Sequence, residues 1–165
     1  SEDLCFKSKE ILKISEAKNL KLLIGPSHHY REIFTLINES KKATRKINSP
    51  WSLSIKFHPS TKFKSIIKMA CYILNLSVEN SSVEMFDLAQ KYDGLITKDS
   101  SSAADFLLMG KTVFFAGEKY PPEFLQNNLA MPLKELPEMI RGEISYPAEN
   151  HYLARQVFLK NYLNV

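Results

Sequence analysis

"DGLITKDSSSAADFLLMGKTVFF", residues 93–115, sets two short apolar runs on either side of a helical pattern. "DGLIT" (93–97) reads as a buried strand, Ser101 to Met109 as a helix, and "KTVFFAG" (111–117) as a second strand. A strand, a helix and a strand in immediate succession describe a crossover between parallel strands. Three consecutive serines, with no glycine among them, occupy the turn into the helix. Serine is a good helix cap, and the same turn can hold an anion on unpaired N–H groups and hydroxyls.

The alternation extends upstream. "LKLLIG" (20–25) is a strand-like run ending at Gly25-Pro26, and Tyr30, Ile33, Phe34 and Ile37 follow at helical spacing. "WSLSIKF" (51–57) alternates apolar and polar residues as a strand does. Phe63, Ile66, Ile67, Ala70, Cys71 and Leu74 form a helical stripe, "LSV" (76–78) a short strand, and Val83 to Tyr92 a helix. A strand–helix pair repeated four times and closed by a strand predicts an α/β, Rossmann-like, doubly wound and mostly parallel sheet of five or six strands. This domain spans residues 20–145. Residues 1–19 read as a lead-in helix or linker, "PLKELPEMIRG" (132–142) as a short helix, and residues 146–165 as a C-terminal helix packing back on the domain.

The chain's 165 residues suit one domain with a full core. Apolar content of 44% and charged content of 24% are those of a soluble globular protein. A net charge of +4 suits phosphate ligands or an anionic lipid surface, but the dense basic stripe of a nucleic-acid binder is missing. The basic run "KKATRK" (Lys41 to Lys46) is read as solvating a helix end. Of two cysteines, Cys71 shares a helical face with Ile67 and Leu74, so it belongs to the core, and no disulfide framework is expected. No apolar run is long enough to span a bilayer and no signal-peptide pattern opens the chain. The expected location is cytoplasmic, with peripheral association at the inner face of a membrane compatible with the charge.

Ligands of open parallel sheets bind at the carboxyl ends of the strands. The residues that follow the strands are Ser27, His28 and His29; His58, Pro59, Ser60 and Thr61; Glu79, Asn80, Ser81 and Ser82; Lys98, Asp99, Ser100, Ser101 and Ser102; and Glu118, Lys119 and Tyr120. Their gathering on one edge predicts an anion site. His58 is expected at the last position of its strand, locked by Pro59 and pointing into the crevice. A structural histidine bonded to a loop carbonyl is the competing reading. Adjacent histidines without further ligands make no metal site. No nucleophile elbow, dinucleotide fingerprint or P-loop occurs.

"SIKFHPS" (54–60), followed by "DGLITKDSSSAADFLLMGKTVFF", resembles the carboxyl-terminal, donor-binding half of certain GT-B transferases. The groups are the CDP-glycerol glycerophosphotransferases and the bacterial polysialyl- and Kdo-transferases, which share a His-Pro and a Ser-Ser motif. "LLIGPSHHYRE" (22–32) resembles the stretch after the family's first strand in that half. The resemblance implies half of a GT-B architecture serving surface polysaccharide synthesis. It also implies a CMP- or CDP-linked sugar or polyol donor, with no separate cofactor and no metal. His58 would be catalytic, and Ser27, His28, His58, Pro59, Asp99, Ser100, Ser101 and Ser102 would hold the donor and its phosphate. Glu79, Asn80, Ser81 and Ser82 would face base or ribose. One departure is Thr97-Lys98-Asp99-Ser100-Ser101, where the glycerophosphotransferases commonly read Thr-Asp-Tyr-Ser-Ser. The other is length: the family's acceptor domain is expected on another domain or partner chain, without which the chain is expected to be inactive. A non-catalytic binding or regulatory module and a sugar-nucleotide epimerase-like domain are the alternatives.

Overall fold

A computed structural model describes residues 18–26, 29–98, 102–117 and 130–144. Six parallel strands form one sheet: β1 (Leu20–Ile24), β2 (Trp51–Ile55), β3 (Ser77–Val78), β4 (Gly94–Thr97), β5 (Thr112–Phe115) and β6 (Ala130–Pro132). Between them lie α1 (Tyr30–Thr44), α2 (Lys64–Ile73), α3 (Met85–Lys91) and α4 (Ala103–Leu108). After β6, a 3-10 turn (Leu133–Glu135) leads into α5 (Leu136–Ile140). The strand order is β3-β2-β1-β4-β5-β6, the order of the doubly wound nucleotide-binding sheet. Every strand pairing in it is parallel.

Alternation explains why "LKLLI" is almost continuously apolar: both faces of the central strands are covered. Leu22, Ile24, Ile96 and Phe114 face one layer, where Ile33, Leu36 and Ile37 of α1, Ile67 and Cys71 of α2, and Leu136 of α5 pack. Leu23, Leu95 and Val113 face the other, against Leu88 and Ala89 of α3 and Ala103, Phe106 and Leu107 of α4. Gly94 starts β4 where a Cβ would come within 3.2 Å of both Leu22 Cδ2 and the Thr112 carbonyl oxygen. Cys71 is fully buried, which pushes its thiol pKa up and fits the expected core role.

Four differences from the sequence expectation stand out. The stripe assigned to α2 is not one face: Ile67 and Cys71 are buried, whereas Phe63 and Ile66 are exposed. Ile66 lies about 100° around the helix from Ile67, so both cannot meet the sheet. Second, β2 ends at Ile55, and His58 sits in an exposed turn beyond it instead of ending the strand. Third, β6 was not distinguished from the helix that follows; it is three residues long and ends at Pro132 on the sheet edge. Fourth, the 132–142 helix is a 3-10 turn plus a five-residue α-helix. Most of the 1–19 lead-in and the 146–165 helix lie outside the described residues, as do Cys5 and Glu118–Tyr120.

Candidate functional site

The order reverses direction between β1 and β4, so their carboxyl ends open the crevice that ligands of this sheet class occupy. Two bonds lock the two ends together. The Gly25 N–H donates to the Ile96 carbonyl (2.9 Å), and the buried Thr97 hydroxyl donates to the Gly25 carbonyl (2.9 Å). Thr97, the last residue of β4, thereby fixes where the "KDSSS" turn departs relative to Gly25-Pro26. Ser27, His28, Asp99, Ser100 and Ser101 lie outside the described residues. Their chain neighbours Pro26, Lys98 and Ser102 are described. Ser102 precedes α4 in helical backbone (φ −56°, ψ −21°) and makes no side-chain cap bond.

β2 lies beside β1, and the Lys56 N–H continues the ladder to the Ile24 carbonyl (3.1 Å). The His58-Pro59-Ser60-Thr61 turn is thus a neighbour of the crevice. It closes through the Thr61 N–H to the His58 carbonyl (3.0 Å). The Ser60 backbone N–H donates to His58 Nδ1 (3.2 Å), and Ser60 Oγ lies 2.6 Å from the same nitrogen. A backbone amide can only donate, so Nδ1 is the acceptor and Nε2 carries the proton. The ring is held by its own turn through Nδ1. The Pro59 carbonyl accepts from Lys64 Nζ (2.6 Å), tying the turn to α2. At the start of α2, Phe63 takes a left-handed backbone (φ 58°), a conformation bulky residues rarely adopt.

Of the residues after β3, Glu79 has a task of its own. Lys91 Nζ and the Tyr92 hydroxyl both donate to its Oε1. Burial favours the neutral acid, but these two hydrogen bonds and the Lys91 charge outweigh it and hold the Glu79 carboxyl below its usual pKa. Burial, then the bond to Glu79, raises the Tyr92 phenol. Asn80 Oδ1 accepts the Ser82 N–H (3.1 Å), a local turn. Glu79, Asn80 and Ser81 nonetheless line an open groove of about 590 Å³, together with Lys64, Lys68, Tyr72, Leu76 and Val78. Ser82 is exposed beside it.

Sequence reasoning missed Asp105 in the first turn of α4. It is half-buried; burial chiefly, then the charge of Glu84, raises its carboxyl pKa, with Lys56 opposing. An acid inside the otherwise apolar "AADFLL" was the available signal. Among the described residues no cluster of His, Cys, Asp and Glu can hold a metal ion.

Neither a family model nor a curated protein sequence matches the chain. Solved structures do. The wall teichoic acid polymerase TagF, in a variant soaked with CDPG, superposes with a TM-score of 0.57 at 11% identity, covering 99% of this chain and 41% of that one. The S. aureus MnaA–UDP co-structure gives 0.53 at 17% identity, covering 89% and 46%. A UDP-N-acetylglucosamine 2-epimerase from Listeria monocytogenes, so described in putative form, gives 0.52 at 11%, covering 94% and 48%. The chain has the Rossmann-like fold of these GT-B neighbours. It spans less than half the length of each.

Proposed function

We propose that this chain is the donor-binding half of a GT-B glycosyltransferase or glycerophosphotransferase acting in surface polysaccharide synthesis, with a CMP- or CDP-linked donor. The observation that carries the reading is the His58 turn, one strand over from the β1/β4 crevice, with its Nε2–H as the ring's donor. As the donor bond breaks, negative charge collects on the leaving nucleotide phosphate. A prepositioned N–H donor stabilises that charge without reorganising. The Ser100–Ser102 hydroxyls, leaving from the end of β4, would grip the same phosphate, together with Ser27 and His28 from the end of β1. Glu79, whose Oε1 is taken by Lys91 and Tyr92, would offer Oε2 to a ribose hydroxyl at the mouth of the 590 Å³ groove. Acceptor binding and the base that activates the acceptor belong to another domain or chain.

Support for the cytidine donor comes from the His-Pro and Ser-Ser motifs and from TagF having been soaked with CDPG. An epimerase-like reading is favoured by the likeness to MnaA, solved with UDP. A thermal-shift series with CMP, CDP, UDP, GDP and ADP separates the two. Ligand at about 100 times Kd adds roughly 2.7 kcal/mol to stability. A shift with the cytidine nucleotides supports the transferase reading, a shift with UDP alone supports the epimerase-like one, and no shift rejects both.

A further inference from the structure

We propose that the outward face of α2 docks this chain on an anionic lipid surface. Seven large hydrophobic side chains are exposed among the described residues, and five of them fall within Phe63–Ile73. Ile66 (66% exposed), Met69 (67%) and Ile73 (71%) recur at i, i+3 and i+7 and form a ridge opposite the buried Ile67–Cys71 stripe. Tyr72, at 83% exposed, stands beside that ridge in line with Lys64 and Lys68 at i−8 and i−4. A helix with apolar residues on two sides is expected to find cover for both. Among the described residues, only the Ile67–Cys71 side of this one is covered.

Charge selects the occupant. Residues 40–78 contain eight of the chain's 22 lysines and arginines and none of its 18 acids. The rest of the molecule is net negative, so the mild overall charge conceals a strongly basic sector. Two of its parts meet in space: Lys41 Nζ from the basic end of α1 donates to the Leu74 carbonyl at the end of α2 (2.5 Å). Lys42, Arg45 and Lys46 continue it as exposed cations, and Lys62 and Lys68 flank the ridge. The nearest carboxylate on the groove side, Glu79, is already matched by Lys91. A second copy docking face to face would set lysine stripe against lysine stripe with no acid to pair them. A convex apolar ridge with a tyrosine tip and lysine flanks fits the interface of an anionic bilayer, where the ridge enters the acyl boundary and the cations reach headgroup phosphates. No helix among the described residues is long and apolar enough to cross a membrane, so contact here is along the surface.

The test is vesicle flotation of the full 165-residue chain with phosphatidylglycerol-containing and pure phosphatidylcholine vesicles, repeated at high salt. Flotation with the former, weak with the latter and suppressed by salt, is expected. Each cation removed should weaken partitioning about fivefold, so Lys62→Glu/Lys68→Glu should lower it well beyond tenfold. Met69→Ser/Ile73→Ser should also abolish flotation while both variants keep the wild-type melting temperature, because these side chains are exposed. No flotation of the wild type with anionic vesicles overturns the proposal, as does flotation of either variant equal to that of the wild type. It is also overturned if sedimentation shows a concentration-dependent dimer that Met69→Ser/Ile73→Ser dissolves while lipid has no effect. Nucleotide binding is read separately and decides none of these outcomes.

Discussion

His58 is held by a bond that fixes its chemistry. With the Ser60 N–H donating to Nδ1, the neutral ring must carry its proton on Nε2. Nitrogen-15 chemical shifts of the neutral ring in the free chain should show a pyridine-type Nδ1 and a pyrrole-type Nε2; the reverse pattern would contradict the assignment. Ser60→Pro, which deletes that N–H, should scramble the tautomer and weaken nucleotide binding even though the His58 side chain remains. At Asp105 the prediction concerns pH. Its carboxyl pKa is raised in the fold, so it favours the folded state once protonated, and that contribution is lost as pH rises through the raised value. Asp105→Asn should therefore raise the melting temperature at neutral pH, with the gain shrinking as the wild type is acidified. A gain independent of pH would show that burial is not the cause. Glu79 behaves oppositely. Its lowered pKa contributes stability above the ordinary carboxyl value, lost as pH falls through the folded one. Melting curves of Glu79→Gln against pH should lack that acid limb.

At the scale of elements, α2 carries the sharpest contrast in the molecule. Ile67→Ala empties a site that is 1% exposed and should cost about 2–5 kcal/mol, whereas Met69→Ala, two residues on, should stay within about 0.5 kcal/mol. Denaturant unfolding of the two variants measures this directly, and similar losses would contradict the orientation of α2. This same helix shows where sequence reading stops. Its apolar residues surround the axis, so periodicity announces a helix but cannot say which side meets the sheet; only packing against β2 and β3 resolves it. The central strands were legible because Leu22–Ile24 and Leu95–Ile96 are buried from both faces and leave an unbroken apolar run. β6 was not, since three residues ending in proline carry no periodicity. His58 was singled out as a candidate but placed three positions too close to the strand, because "IKF" continues the alternation after the ladder has ended. Glu79 looked like any polar residue after a strand, and its bonds to Lys91 and Tyr92 join parts of the chain that only α3 brings together.

For the molecule as a whole, the two core layers hold β1 and β4 side by side, and the Thr97–Gly25 bond sets the crevice between them. The doubly wound, parallel architecture was within reach of the sequence, since four strand–helix repeats leave few topologies. Whether the serine turn completes the site depends on its coupling to His58. His58→Ala and Ser100→Ala/Ser101→Ala should each weaken binding by about 1.5–3 kcal/mol, the range for hydrogen bonds to charged groups. Combined, they should cost less than the sum, because both hold one phosphate. The full chain alone should bind a donor nucleotide yet transfer nothing to a polysaccharide acceptor; turnover near 1 per second, ordinary for enzymes, would contradict the half-enzyme reading. The central claim, that His58 and the β4 turn grip one donor phosphate, is tested most directly by calorimetric titration of CDP into the wild type, the two variants and their combination. The wild type should bind, each variant should lose roughly tenfold or more, and the combination should lose less than the sum. Unchanged affinity in His58→Ala, or strictly additive losses, would contradict it.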